Sequence, residues 1–295
     1  MYNKRKIIND PVHGFISIPS ELHYDLIQHP YFQRLGRIRQ LGVSFLVYPG
    51  AQHTRFQHSL GAMYLMEEAI AQLRARGQEI TDEEADAVLA AILLHDIGHA
   101  PFSHVLEDTL TKEISHEDIS LLMMEHINEE MGGALELALS IFKNQYPKKF
   151  LHQLVSSQLD MDRLDYLIRD SFFTGVVEGA VGAARIIKML NVHDDQLVIE
   201  AKGIYSVEKF LIARRMMYWQ VYYHKTSVSA EQLLIKTLAR AKELTLKGKK
   251  PFAAPQFAYF LENDITGKDF QISEEALSNY AKFDDSDVIS AVKTW

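Results

Sequence analysis

A histidine and an aspartate stand side by side at His95-Asp96, directly after the apolar run Ala87 to Leu94. An ionisable pair at the end of a buried helix is costly unless it is paired or liganded. Taken alone, the doublet also admits a blander reading, a solvent-facing helix end where a histidine complements the dipole. His58 and Asp162 extend the pattern. His58 follows Arg55 by three residues on one helical face, and Asp162 leads a polar stripe continued by Tyr166 and Asp170. Two imidazoles and two carboxylates suit a divalent ion such as Mn, Fe, Ni, Mg or Zn. Such a set leaves about two octahedral positions for water and a phosphate oxygen. The chain has no cysteine, which excludes thiolate sites, disulfides and cysteine nucleophiles.

The elements that must position these residues are mostly helical. Phe15 to Ile18 reads as a short strand after a turn at Pro11 and Gly14. Helices are expected over Glu21 to Gln28 and, opened by Pro30, over Tyr31 to Leu41, with Gly42 to Gln52 as loop. An amphipathic helix should run from Thr54 to about Arg76 and end at Gly77. Thr81-Asp-Glu-Glu84 is a capping box, so the next helix starts at Asp82 and reaches about Asp96, apolar on nearly all sides. Further helices are expected at about 103–110, 116–129, 134–144, 148–156 and 160–170. Leu197 to Glu200 reads as a strand of a hairpin, followed by one long helical segment from Ser206 to Leu246. The expected fold class is mainly α with one or two small β-ribbons. Residues 1–246 are expected to form the main domain and 247–295 a C-terminal helical extension packed on it, either short by nature or truncated.

Composition bounds the function. Of 295 residues, 47% are hydrophobic and 24% charged, which is ordinary for a globular core. A net charge of -8 argues against nucleic acid as the main partner without excluding a local basic pocket. The longest apolar run is far too short to span a bilayer, and the basic N-terminus lacks a signal-peptide core, so a cytoplasmic enzyme is expected.

The order His58…His95-Asp96…Asp162 resembles the signature of the HD superfamily. The likeness is strongest to the HD-domain deoxynucleoside triphosphate triphosphohydrolases, without the SAM domain that some carry. It rests on Asn9-Asp-Pro-Val-His-Gly14, Phe32-Gln-Arg-Leu35, Gln40-Leu-Gly42, Tyr48-Pro-Gly-Ala51, Arg55-Phe-Gln-His-Ser-Leu-Gly61, His95 through His104, Asp160-Met-Asp-Arg-Leu-Asp-Tyr166 and Tyr222-Tyr-His-Lys225. The resemblance covers nearly the whole chain.

It implies an HD-domain helical fold, a divalent metal on His58, His95, Asp96 and Asp162, and hydrolysis at the α-phosphorus to deoxynucleoside and triphosphate. His104 would be the acid for the departing 5′-oxygen, with Glu107 orienting it from a position where the family has aspartate. His99 and His116 would touch the phosphates. Arg55, Arg163 and Arg214 would clamp the triphosphate, a role that suits the guanidinium fork. Gln40, with Leu41 beside it, and Asp170 would bind the sugar 3′-hydroxyl. Tyr166 would pack beneath C2′, and Tyr222 would line the sugar or base side. Lys6, Asn9 and Gln33 resemble parts of a regulatory nucleotide site between subunits of a homo-oligomer. Gln28 and Gly36 replace the residues that read a guanine there, so guanine-specific activation is not expected. His13, His23, His29, His53, His126, His152 and His193 are read as ordinary core or surface histidines. Two alternatives stay open: an HD phosphohydrolase for another nucleotide or phosphate ester, and a nucleotide-sensing or nucleic-acid-binding protein with little turnover.

Overall fold

In a computed structural model the chain folds around two central helices; residues 6–102, 106, 109 and 111–295 are described. The N-terminal segment is a hairpin, β1 (Ile7–Asp10) against β2 (Gly14–Ser17), with Ile8 opposite Ile16. The single strand expected there is thus half of a ribbon. Gly14 has φ +78, the left-handed conformation the tight turn needs. Helices α1 (Glu21–Gln28) and α2 (Pro30–Gln33) follow. The helix expected to continue to Leu41 instead tightens into a 3-10 turn, Arg34–Arg37, and ends at Ile38. The chain is pulled extended there because Arg39 pairs with Thr54 in a β-bridge. A second 3-10 turn, Gly42–Leu46, occupies part of the expected loop.

α3 (Arg55–Ala75) and α4 (Asp82–Leu94) form the centre. Both start on capping boxes, Thr54 with Gln57 and Thr81 with Glu84, which satisfy amide groups that a helix start leaves unpaired. From Val88 to Leu94, α4 is buried on every side, so its apolar run is a core helix. α3 packs on both α4 and α8 (Met161–Thr174); it is buried on nearly all sides from His58 to Met66 and has the expected amphipathic character beyond, where Glu67, Glu68, Ala71 and Arg74 are exposed and Ala69, Ile70 and Leu73 buried.

Between these lie β3 (Thr111–Lys112), α5 (His116–Glu130), α6 (Glu136–Phe142) and α7 (Lys149–Val155). The helix expected at 103–110 falls largely outside the described residues. After α8 come α9 (Ala183–Met189) and a second ribbon, β4 (Leu190–His193) with β5 (Gln196–Ile199). The single long helix expected from Ser206 is broken into α10 (Ile204–Met217), a π-helical turn at Tyr218–Tyr222, and α11 (Lys225–Leu246). Such wide turns re-aim side chains and are frequent at functional sites.

The C-terminal segment holds α12 (Pro255–Glu262), β6 (Ile265–Thr266), α13 (Gly267–Ile272), α14 (Glu274–Lys282) and α15 (Asp285–Thr294). β6 pairs in parallel with β3, a two-residue contact beyond the two expected ribbons. The buried Arg34 guanidinium donates to Phe283 O and Ile97 O and lies over the Tyr280 ring, tying this segment to the core. Among the described residues, no helix is long and apolar enough to cross a membrane.

Candidate metal centre and active site

Three helices deliver the ligand set. His58 sits in the first turn of α3, His95 caps the C-terminus of α4, and Asp162 lies in the first turn of α8. His58 Nε2 is 3.1 Å from Asp162 Oδ1 and 3.4 Å from His95 Nε2, and His95 Nε2 is 3.6 Å from Asp162 Oδ1. Ligands bound at about 2.1 Å to one ion lie roughly 3.0–3.4 Å apart, so the three atoms fit a shared divalent cation. Among the described residues they form the group able to hold a metal. The histidines are also oriented for it. His58 Nδ1 donates to Asp165 Oδ2 at 2.8 Å and His95 Nδ1 to Ile92 O at 2.6 Å, leaving both Nε2 lone pairs to converge.

Asp96 flanks this triad. Its Oδ1 lies 3.2 Å from His95 Nε2, and its Oδ2 lies 3.7 Å from His58 Nε2. The same Oδ2 accepts from Arg55 at 2.5 Å. Arg55, expected to clamp phosphate, is therefore buried against a candidate ligand and offsets its charge.

Without metal, burial alone would lower the pKa of His58. Hydrogen bonds to Asp162 and Asp165, with the charges of Asp165 and Asp96, outweigh it and raise the value to about 10. His95 is raised as well, its burial outweighed by Asp96 and Asp162. Burial pushes Asp162 up, but its bonds to His58 and His95 hold it well below the usual carboxylate range. His58 thus carries a proton at neutral pH in the metal-free protein. Its folded pKa lies above the unfolded 6.5, so protonation stabilises that state fully below 6.5, and the contribution is lost as pH rises through about 10. A cation must displace this proton. Affinity for Mn²⁺ is therefore expected to rise with pH, about tenfold per unit for each proton released. Titration calorimetry between about pH 6.5 and 8.5, in buffers of different ionisation heat, checks this; flat affinity without proton release contradicts it.

Behind the triad lies a buried ionic network that the sequence reading missed. Asp165, wholly buried, accepts from His58, from His13 Nε2 at 2.6 Å, and from Arg169 Nε at 2.9 Å and its NH2 group at 3.0 Å. Arg169 also reaches Asp10 Oδ2 at 2.7 Å. His13 is thus no ordinary surface histidine. One signal was available: Asp165 and Arg169 form an i, i+4 acid–base pair on a helix face shared with Met161, Ile168 and Phe172. Gly61 makes room for the network, since a Cβ there would stand 2.0 Å from Asp165 Oδ1.

On the other side of α8, Tyr166 and Asp170 continue the stripe from Asp162. The Tyr166 ring lies 6.4 Å from the His58 ring and 6.2 Å from that of Tyr222. Tyr222 donates to Asp170 Oδ2 at 2.8 Å, while His53 Nε2 is 2.7 Å from Asp170 Oδ1. His53, expected to be unremarkable, is buried here and stacked on Phe173. Burial foremost raises the pKa of both tyrosines, so each phenol keeps its proton. Gln40 donates its backbone N–H to His53 O, and its buried Oε1 has no partner among the described residues. Leu41 packs against the core beside it.

The other expected residues spread around this centre. His99 is buried with Nδ1 at 3.3 Å from Asp96 Oδ1, and its ring centre is 3.9 Å from that of His116, the first residue of α5. Arg163 folds back onto Asp160, whose burial beside Asp162 pushes it up to about 6. Arg214 bonds Gln158 at 3.2 Å and approaches the Tyr218 ring. His104 and Glu107 lie outside the described residues. Lys6 contacts Tyr24, Asn9 pairs with Phe15 in the hairpin, and Gln33 caps Ile27 O; these contacts do not join the three residues to one another.

The HD domain family matches residues 55–170, the stretch that contributes every ligand of the triad, and the HD associated region matches residues 181–254. A crystal structure of a phosphohydrolase from Bacteroides thetaiotaomicron is 64% identical and superposes with a TM-score of 0.97, covering 99% of this chain and 72% of that one. The chain belongs to the HD-domain phosphohydrolases. Within this family it is 36% identical to the uncharacterized protein YwfO of Bacillus subtilis over 99% of its own length and 67% of that protein. It is 30% identical to human deoxynucleoside triphosphate triphosphohydrolase SAMHD1, covering 84% of this chain and 47% of SAMHD1. The chain thus spans between about half and two thirds of these relatives' length.

Proposed function

We propose that this HD-domain phosphohydrolase cleaves deoxynucleoside triphosphates at the α-phosphorus, releasing deoxynucleoside and inorganic triphosphate. The observation that carries the reading is the Tyr166–Tyr222–Asp170 group set one and two helical turns from Asp162, beside the triad. The likeness to SAMHD1 supports it. Bound on His58, His95 and Asp162 with Asp96 beside them, a divalent ion would supply a polarised water and neutralise phosphoryl charge.

The chain's own residues do the rest. Each Asp170 oxygen has a lone pair beyond those used by His53 and Tyr222, and the Gln40 amide oxygen is an acceptor unclaimed among the described residues; together they suit a sugar hydroxyl. The Tyr166 ring, wedged between His58 and Tyr222, offers a flat surface on which a 2′-hydroxyl would lose its hydration, which favours a deoxyribose. Arg163 and Arg214 stand at the start of α8 and the end of α10, where they can turn to phosphate oxygens. The N-terminal turns of α3 and α8 add positive potential on the same side. The His99 and His116 rings lie close together, tilted by 32°, within reach of that charge. His104 is the proposed acid and Glu107 its partner on sequence grounds, and acid catalysis of this type contributes roughly 10²–10⁴ in rate.

The test is product analysis. Metal-stripped protein is incubated with each dNTP and rNTP while Mn, Mg, Fe, Ni or Zn is restored singly, and products are resolved by chromatography. Deoxynucleoside plus triphosphate is the expected outcome, with rNTPs spared. Orthophosphate or pyrophosphate would instead assign a different phosphate chemistry to the same metal group. Binding of nucleotide or single-stranded nucleic acid with no turnover would make it a sensor.

A further inference from the structure

The C-terminal segment places a buried carboxylate where two parts of the site meet. Asp285, first residue of α15, is 1% exposed. Its two oxygens serve different segments. Oδ1 accepts from Phe102 N at 2.9 Å, and Oδ2 accepts from Arg39 N at 3.0 Å and the Arg39 guanidinium at 3.3 Å. Phe102 closes the turn that begins at His95 and carries His99; Arg39 immediately precedes Gln40. Phe102 has φ +54, a conformation unfavourable for a residue with a Cβ, which persists only where the surroundings impose it. The two segments touch: a Cβ at Gly42 would lie 3.5 Å from Phe102 O. Nearby, Tyr280 donates to Gly98 O at 2.7 Å, and Arg34, bonded to Phe283 O, donates to Ile97 O at 3.2 Å. Ser120 holds the start of this turn, at His95 O and Gly98 N, while its far end at Phe102 is held by Asp285, which lies beyond the stretch that supplies the metal ligands.

We propose that Asp285 is a positioning residue, which sets the His99 turn against the Gln40 segment and so fixes phosphate-side and sugar-side groups at a working distance. The proposal rests on the phosphohydrolase reading above. The physical basis is that both partners are N–H donors and only a carboxylate accepts at both oxygens. A misplacement of about 1 Å at such a site costs on the order of 100-fold in rate.

The test compares Asp285→Asn with Asp284→Asn. An amide presents NH₂ to a donor whichever way it turns, so Asp285→Asn loses one anchor. Asp284 caps α15, a role asparagine retains, and otherwise pairs with the half-exposed Arg37. For Asp285→Asn, amide exchange at Phe102 or Arg39 is expected to speed at least about tenfold and the His99 ring resonances to shift. Its kcat for dNTPs is expected to fall about 10–100-fold, with KM and Mn²⁺ affinity within about twofold. Asp284→Asn is expected to match wild type throughout. Asp285→Ser, which keeps a helix-starting side chain, repeats the test should the asparagine variant fail to fold. Unchanged exchange and unchanged His99 resonances overturn the proposal. So does Mn²⁺ affinity falling in parallel with kcat, the mark of general loosening. If the wild type turns over no dNTP, the substrate reading fails, and exchange and His99 resonances still decide the role of Asp285.

Discussion

Asp162→Ala is expected to abolish Mn²⁺ binding in the micromolar range and to reduce phosphohydrolase turnover to background. Asp162 is the carboxylate of the triad, its Oδ1 within 3.6 Å of both imidazole Nε2 atoms. Residues that only orient ligands already cost about 10–100-fold in metal affinity or activity when lost, which sets a lower bound for the ligand itself. Its side chain is partly exposed, so the fold should survive. Circular dichroism and thermal melting establish that the variant is folded, while calorimetry with Mn²⁺ and the chromatographic assay read the loss. A folded variant retaining wild-type affinity and turnover would remove Asp162 from the site and leave Asp96 as the carboxylate ligand.

Asp165→Ala is expected to act on stability as strongly as on chemistry. The substitution leaves the buried Arg169 guanidinium with Asp10 alone and frees His58 Nδ1 from its orienting acceptor. Breaking a buried ion pair by removing one partner costs about 3–5 kcal/mol. Urea denaturation of the metal-free protein should show a loss of that size. Metal affinity should fall about 10–100-fold, because His58 is no longer held in the tautomer that presents Nε2. Asp165→Asn keeps the shape and one acceptor and should fall between the two. If Asp165→Ala melts like wild type, the network is not the anchor its geometry indicates.

The positions of these two aspartates show how far residue order reaches. Asp162 was legible because His58, His95-Asp96 and Asp162 follow the order of the HD signature that the chain resembles. Asp165, three residues on, was not. Its role depends on the hairpin turn bringing His13 and Asp10 across from a distance of more than 150 residues. Similarly, His53 read as ordinary until the tertiary fold set it against Asp170.

Local signals governed the elements. The capping boxes at Thr54 and Thr81, the apolar run of α4 and the turn residues near Gly14 specified where helices and strands begin, since those depend on neighbours a few residues away. Helix ends set by remote partners escaped. The helix after Pro30 stops because Arg39 pairs with Thr54, and the segment after Ser206 breaks at the π-turn beside Tyr222. By itself the sequence specified a mainly helical HD-domain chain and singled out His58, His95 and Asp162, the group able to hold a metal. Only the tertiary structure decided which buried charges support them, that Arg55 neutralises Asp96, and that Asp285 reaches back to the His99 turn. The reason is physical: periodicity and capping are short-range, whereas the pairing of buried charges is settled by whichever distant chain segment satisfies them.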